Sequence, residues 1–108
     1  MINLSFSKNW NNKLCCDLFT TIRYKSPLKI GDIVSVTTKL ENSSVKSFAQ
    51  VVSKESFLLK DIPEAVFAFD MGLSKALGIK EIERIYAQYN IHNIQFDILC
   101  LKHYYPTK

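Results

Sequence analysis

The residues best suited to chemistry in this 108-residue chain lie between Phe19 and Val36. Phe19-Thr20-Thr21-Ile22-Arg23 reads as a short strand that delivers a threonine and an arginine to one place. A hydroxyl beside a guanidinium makes a polar floor for a phosphate or a base edge. Arg23 could make paired contacts to either, and Thr21 could donate or accept a hydrogen bond. Lys29-Ile30-Gly31-Asp32 then reads as a tight turn launching a β-branched strand. Lys25 and Lys29 could neutralise backbone phosphates. Trp10 or Tyr24 could stack on an exposed base. Each residue also has a plainer use. Arg23 could pair with Asp32 or Asp70, Thr21 could fill a strand position, Trp10 could be a core or rim aromatic, and the two lysines could be solvated loop charges.

Other chemistries find less support. The cysteines are Cys15, Cys16 and Cys100, with no Cys-x-x-Cys spacing to hold zinc or run a redox cycle. They read as reduced thiols of a cytoplasmic protein, with Cys100 in an apolar run as packing. Cys15 or Cys16 could be a nucleophile only with a positioned base, and His92 and His103 are distant in sequence. No glycine-rich phosphate loop or βαβαβ rhythm is present, so nucleotide-binding α/β folds are disfavoured and neither a metal nor a cofactor is expected.

Charge is uneven along the chain. Residues 1–54 carry eight basic and three acidic groups, whereas residues 55–108 carry six and seven. The basic excess therefore travels with the Thr-Arg segment and favours approach of a polyanion, although a solvated surface would look the same. The length suits one domain, 1–108, and a 47% hydrophobic content suits a folded one. No stretch approaches the roughly 20 apolar residues of a membrane span, and Lys8 and Asn9 interrupt the place where a secretion signal needs its apolar core.

The elements that must position these groups follow from local pattern. Residues 2–6 alternate as a half-buried strand. Ser7 could cap a short helix through Asn9 to Leu14. Phe19 to Arg23 is a strand, Ser26-Pro27 a turn, and Asp32 to Leu40 a strong strand. Glu41 to Ser44 reads as a hairpin loop, and Val45 to Glu55 returns with Phe48, Val51 and Val52 available for the core. Pro63 starts a short helix that Gly72 ends. Ser74 caps a second, running to about Tyr89, with Leu77, Ile82, Ile85, Tyr86 and Tyr89 as its apolar positions. Ile94 to His103 is a closing strand, apolar on both sides toward its end and therefore central or covered. Strands with helices gathered toward one end predict an α+β domain with a small curved sheet.

At Phe19–Arg23 the chain resembles the ASCH domain of the PUA-like β-barrel group. Its signature, Gly-x-Lys-x-x-Thr-x-Arg, is met here by Thr21 and Arg23, and its Lys/Arg-x-Gly-Asp turn by Lys29-Ile30-Gly31-Asp32. Asp70-Met71-Gly72 before the second helix and the closing strand extend the likeness over nearly the whole chain. The resemblance implies a PUA-like curved β-barrel with two or three short helices, and association with RNA or modified bases.

The signature glycine and lysine are replaced by Cys16 and Leu18. Some small ASCH proteins are similar to amidohydrolases acting on 4-acetylcytidine, in which that lysine, the threonine and a carboxylate before the helix carry the chemistry. Here only Thr21 transfers cleanly. The carboxylate would be Asp70 or, less favoured, Glu64, and Lys13 cannot be placed in the cleft. Leucine can neither accept a proton nor hold an oxyanion. The preferred expectation is a non-catalytic module binding RNA or a nucleoside around Thr21, Arg23, Lys25, Lys29, Trp10, Tyr24 and Asp70. A diverged amidohydrolase and a protein–protein adaptor with a vestigial cleft are the alternatives.

Overall fold

A computed structural model describes residues 2–6, 16–39 and 42–105. Strands β1 (Asn3–Phe6), β2 (Leu18–Tyr24), β3 (Ile33–Lys39), β4 (Ser44–Leu58) and β5 (Gln95–His103) form one sheet in the order β1-β3-β4-β5-β2. Helices α1 (Glu64–Met71) and α2 (Lys75–Ile85) lie between β4 and β5 in sequence. The sheet curls into a half-barrel, so the chain is a small α+β protein with a curved barrel-like sheet and two short helices, as its pattern predicts. The expected helix from Asn9 to Leu14 falls outside the described residues.

Alternation divides each strand between two faces. The concave face buries Leu4, Phe6, Phe19, Val34, Val36, Ala49, Val51, Leu99 and Leu101, and Leu28 joins this core from the loop after β2. The convex face carries a second core. There Phe96 and Ile98 meet Phe67 and Met71 of α1, Ile82 of α2, and Leu59, Ile62 and Ile91 from the flanking turns. As expected, β5 is central, lying between β4 and β2.

The helix ends follow their sequence signals. Pro63 precedes α1, and Gly72 ends it in the left-handed region at φ 68°. The Ser74 hydroxyl accepts from the Leu77 amide to cap α2. The helix stops at Ile85 rather than near Tyr89, and residues 86–88 form a turn. Its buried line also differs from the expected one. Gly78 and Ile82 point inward, whereas Leu77, Ile85 and Tyr89 are exposed. The cause is a close approach: a Cβ on Gly78 would fall 2.1 Å from the Phe67 ring. Turning Gly78 toward α1 carries Leu77 and Ile85 toward solvent.

The longest strand changes register partway. Val51 pairs with Leu101, but Ser53 rather than Val52 pairs with Cys100. Val52 is the extra residue of a β-bulge, which bends the strand and resets its alternation. Val51 is therefore buried, while Val52 and Phe48, both expected to be available for the core, are exposed. Before the bulge the convex face of the sheet is open among the described residues. After it, Phe57 of that face packs with the helices, while Ser53 and Glu55 stay exposed.

Candidate functional site

Strand β2 runs in unbroken register with β5 from Leu18–Lys102 to Tyr24–Phe96. Phe19, Thr21 and Arg23 consequently face the concave side, while Leu18, Thr20, Ile22 and Tyr24 face the convex side. The structure brings Thr21 and Arg23 together, because the Arg23 Nε donates to the Thr21 hydroxyl at 3.0 Å. Nη2 donates to the Ser5 carbonyl at 3.3 Å, and the guanidinium lies 4.9 Å from the centre of the Phe6 ring. Arg23 thus crosses the seam where the two edge strands, β2 and β1, approach one another.

The surroundings of that charge decide what it can do. Thr21 is buried, at 3% exposure, and Arg23 is half-buried. Burial pushes the Arg23 guanidinium below its ordinary pKa, opposed by the Tyr86 phenol and the Asp70 carboxylate acting through space. Among the described residues, Arg23's hydrogen-bond partners are a hydroxyl and a carbonyl, both neutral. The expected pairing of Arg23 with Asp32 or Asp70 gives way to that arrangement. Asp32 instead accepts from the Lys29 amide and closes its turn, which Gly31 makes possible at φ 98°.

Asp70 approaches from behind the strand. It is 2% exposed and accepts from the Thr20 hydroxyl at 2.7 Å. Thr20 and Thr21 are adjacent and therefore point to opposite faces, so Asp70 and Thr21 do not share one wall. Asp70 ties α1 to the sheet, and its charge reaches Arg23 only as a field.

Tyr24 and Lys25 mark the end of β2. Lys25 takes a positive φ of 49°, uncommon for a side-chain-bearing residue. Its amine lies 5.3 Å from the centre of the Tyr24 ring. The two line an open depression of about 490 Å³ together with Ile94, Gln95 and Asp97. Lys29 is exposed and does not line this depression. Trp10 lies outside the described residues.

Sequence reasoning missed the polar group that holds this loop. The Asp97 carboxylate accepts from the Ser26 amide at 2.8 Å and the Ser56 hydroxyl at 2.6 Å. Lys54 donates to the carbonyls of Ser26 and Leu28 at 2.9 and 2.8 Å. These contacts seat Leu28 in the concave core. A signal was available, since Asp97 alternates with Leu99 and Leu101 and so faces inward, where a carboxylate requires donors.

Among the described residues the thiols do not assemble a reactive centre, and Cys15 lies outside them. Cys16 is exposed, and burial pushes the Cys100 thiol up, a rise that a Ser53 hydrogen bond partly offsets. Among the described residues, no group of His, Cys, Asp and Glu is arranged to hold a metal ion. No helix of the described chain is long and apolar enough to cross a membrane.

With this geometry in place, comparison with family models, characterised proteins and solved structures finds no match to the chain.

Proposed function

We propose that the chain is an ASCH-type module that binds RNA or a nucleoside at the Thr21–Arg23 seam without turning it over. The observation that carries this reading is the company Arg23 keeps. Its guanidinium is fixed by neutral groups, so an arriving anion or base edge would not have to displace a contacting carboxylate from among the described residues. Desolvation strengthens such an interaction once made, because the low local dielectric amplifies it. Tyr24 and Lys25 line the depression at the end of β2 and offer a ring and a cation beside the Asp97 carboxylate.

The register of Leu18 supports binding over catalysis. It stands where the resembled signature has lysine, and it faces the convex side at 45% exposure, away from Thr21. Asp70 is likewise engaged from behind by Thr20. Neither a base nor a nucleophile beside Thr21 is evident among the described residues. A protein of this kind would be cytoplasmic, as its reduced thiols suggest.

The test is a titration with fluorescein-labelled cytidine monophosphate, a single nucleotide, with 4-acetylcytidine as a competitor. Arg23→Gln is expected to weaken binding of the nucleotide roughly tenfold while the far-ultraviolet circular dichroism stays native, as loss of a charge-assisted contact implies. Arg23→Lys should recover part of it. 4-Acetylcytidine should remain intact after long incubation with concentrated protein. Unchanged affinity in folded Arg23→Gln, or release of acetate, would overturn the reading.

A further inference from the structure

Among the described residues, the convex face before the Val52 bulge is a sheet surface with no helix packed over it, and its side chains follow a regular plan. Register places Lys102, Gln50 and Ile33 in one row across β5, β4 and β3. The next row holds Phe48, Ser35 and Asn3, with Tyr104 beside Phe48 through an amide that donates to the Phe48 carbonyl at 2.8 Å. The row after that holds Lys46, Thr37 and Ser5, and Lys39 follows. Phe48 and Tyr104 are 39% and 38% exposed. Cations thus flank the aromatic row on both sides.

No Asp or Glu is among the described residues of these rows. The acids of strands β4 and β5, Glu55 and Asp97, lie beyond the bulge. Asp17, near the end of β2, alternates toward the concave side with Phe19. The result, among the described residues, is a face with two exposed rings, three lysines, hydroxyl and amide groups, and no carboxylate.

We propose that this face is a binding platform for single-stranded nucleic acid, separate from the Thr21–Arg23 seam and independent of it. Charge complementarity selects the occupant. Lys39, Lys46 and Lys102 suit a polyanion, and the rings between them suit a polyanion with flat apolar groups at each repeat. Bases of an unpaired strand stack on Phe48 and Tyr104, and its phosphates pass over the flanking lysines. Gln50, Ser35 and Thr37 supply hydrogen bonds without a fixed pattern, because part of their capacity is already used. Gln50 donates to the Gly31 carbonyl, and Ser35 and Thr37 donate to Asn3. Stacking of this kind tolerates sequence, so the platform holds a strand rather than reading it.

The experiment measures fluorescence anisotropy of a labelled oligouridine of about a dozen nucleotides, within the span of known sheet platforms, at about 50 and about 200 mM salt. Phe48→Ala with Tyr104→Ala is expected to weaken binding at least tenfold at unchanged melting temperature, as loss of base stacking implies. Lys46→Gln with Lys102→Gln should flatten the salt dependence by roughly 1.4 in log–log slope. Arg23→Gln should leave oligouridine affinity within about twofold, which separates the platform from the seam. Equal binding by the Phe48/Tyr104 variant overturns the platform even if Arg23→Gln weakens nucleotide binding at the seam. Oligoglutamate competing as well as RNA would identify an acidic peptide surface instead. A concentration-dependent dimer abolished by Phe48→Ala would identify a self-association face. Either result would overturn the proposal.

Discussion

The two halves of β4 present opposite solutions to the same problem. Beyond Val52 the convex face of the sheet carries Phe57, Ile98, Phe96 and Ile22, which pack with α1 and α2, while Ser53 and Glu55 of β4 stay exposed beside them. Before Val52 the same face carries Lys46, Phe48 and Gln50 and, among the described residues, has no helix over it. One extra residue separates a surface built to be buried from one built to meet solvent or a ligand. The difference teaches where stability and recognition are divided. The helix layer is held by close packing, and its neighbouring surface is free to change because no described element rests on it.

That division sets the expected order of mutational effects. Phe67→Ala should be the most damaging, costing about 3–5 kcal/mol in denaturant unfolding, because the ring is fully buried between α1 and α2. Gly78→Ala should also destabilise, by about 1–3 kcal/mol. In an open helix the same change would stabilise by about 1 kcal/mol, so its sign reports whether α2 sits against Phe67. Asp97→Ala should come next, at about 1–3 kcal/mol, since it strips two donors of their acceptor. Hydrogen exchange should then quicken at Ser26 and Leu28 while β3 keeps its protection. Phe48→Ser should be the mildest, within about 0.5 kcal/mol. A large loss at Phe48 would mean that the open half is covered after all.

Much of this fold was legible locally. The Ile33–Lys39 run of β-branched residues forms its strand, and Pro63, Gly72 and Ser74 bound their helices where their capping chemistry says they should. The bulge was not legible. Val51-Val52-Ser53 contains no glycine or proline to mark it, and the register shift arises from pairing with β5 rather than from local preference. With the bulge hidden, Phe48 and Val52 read as core. The parallel pairing of β1 with β3 joins segments about thirty residues apart, for which no local pattern exists.

The candidate site divides in the same way. Thr21 and Arg23 are two apart on one strand, so their shared face follows from spacing, and the 3.0 Å bond between them realises it. Asp70 depends on how α1 docks, and a single step from Thr21 to Thr20 puts it behind the strand. Lys54 and Asp97 come from different strands and meet only through sheet register and the loop between Ser26 and Leu28.

The contrast between the two halves is most directly tested by recording amide chemical shifts of the isotope-labelled protein during titration with single-stranded RNA. Shifts are expected at Ser35, Thr37, Lys46, Phe48 and Lys102, with the amides of Glu64–Met71 and Lys75–Ile85 left in place. Shifts concentrated on the helices, or none on the open half at saturating RNA, would contradict the account.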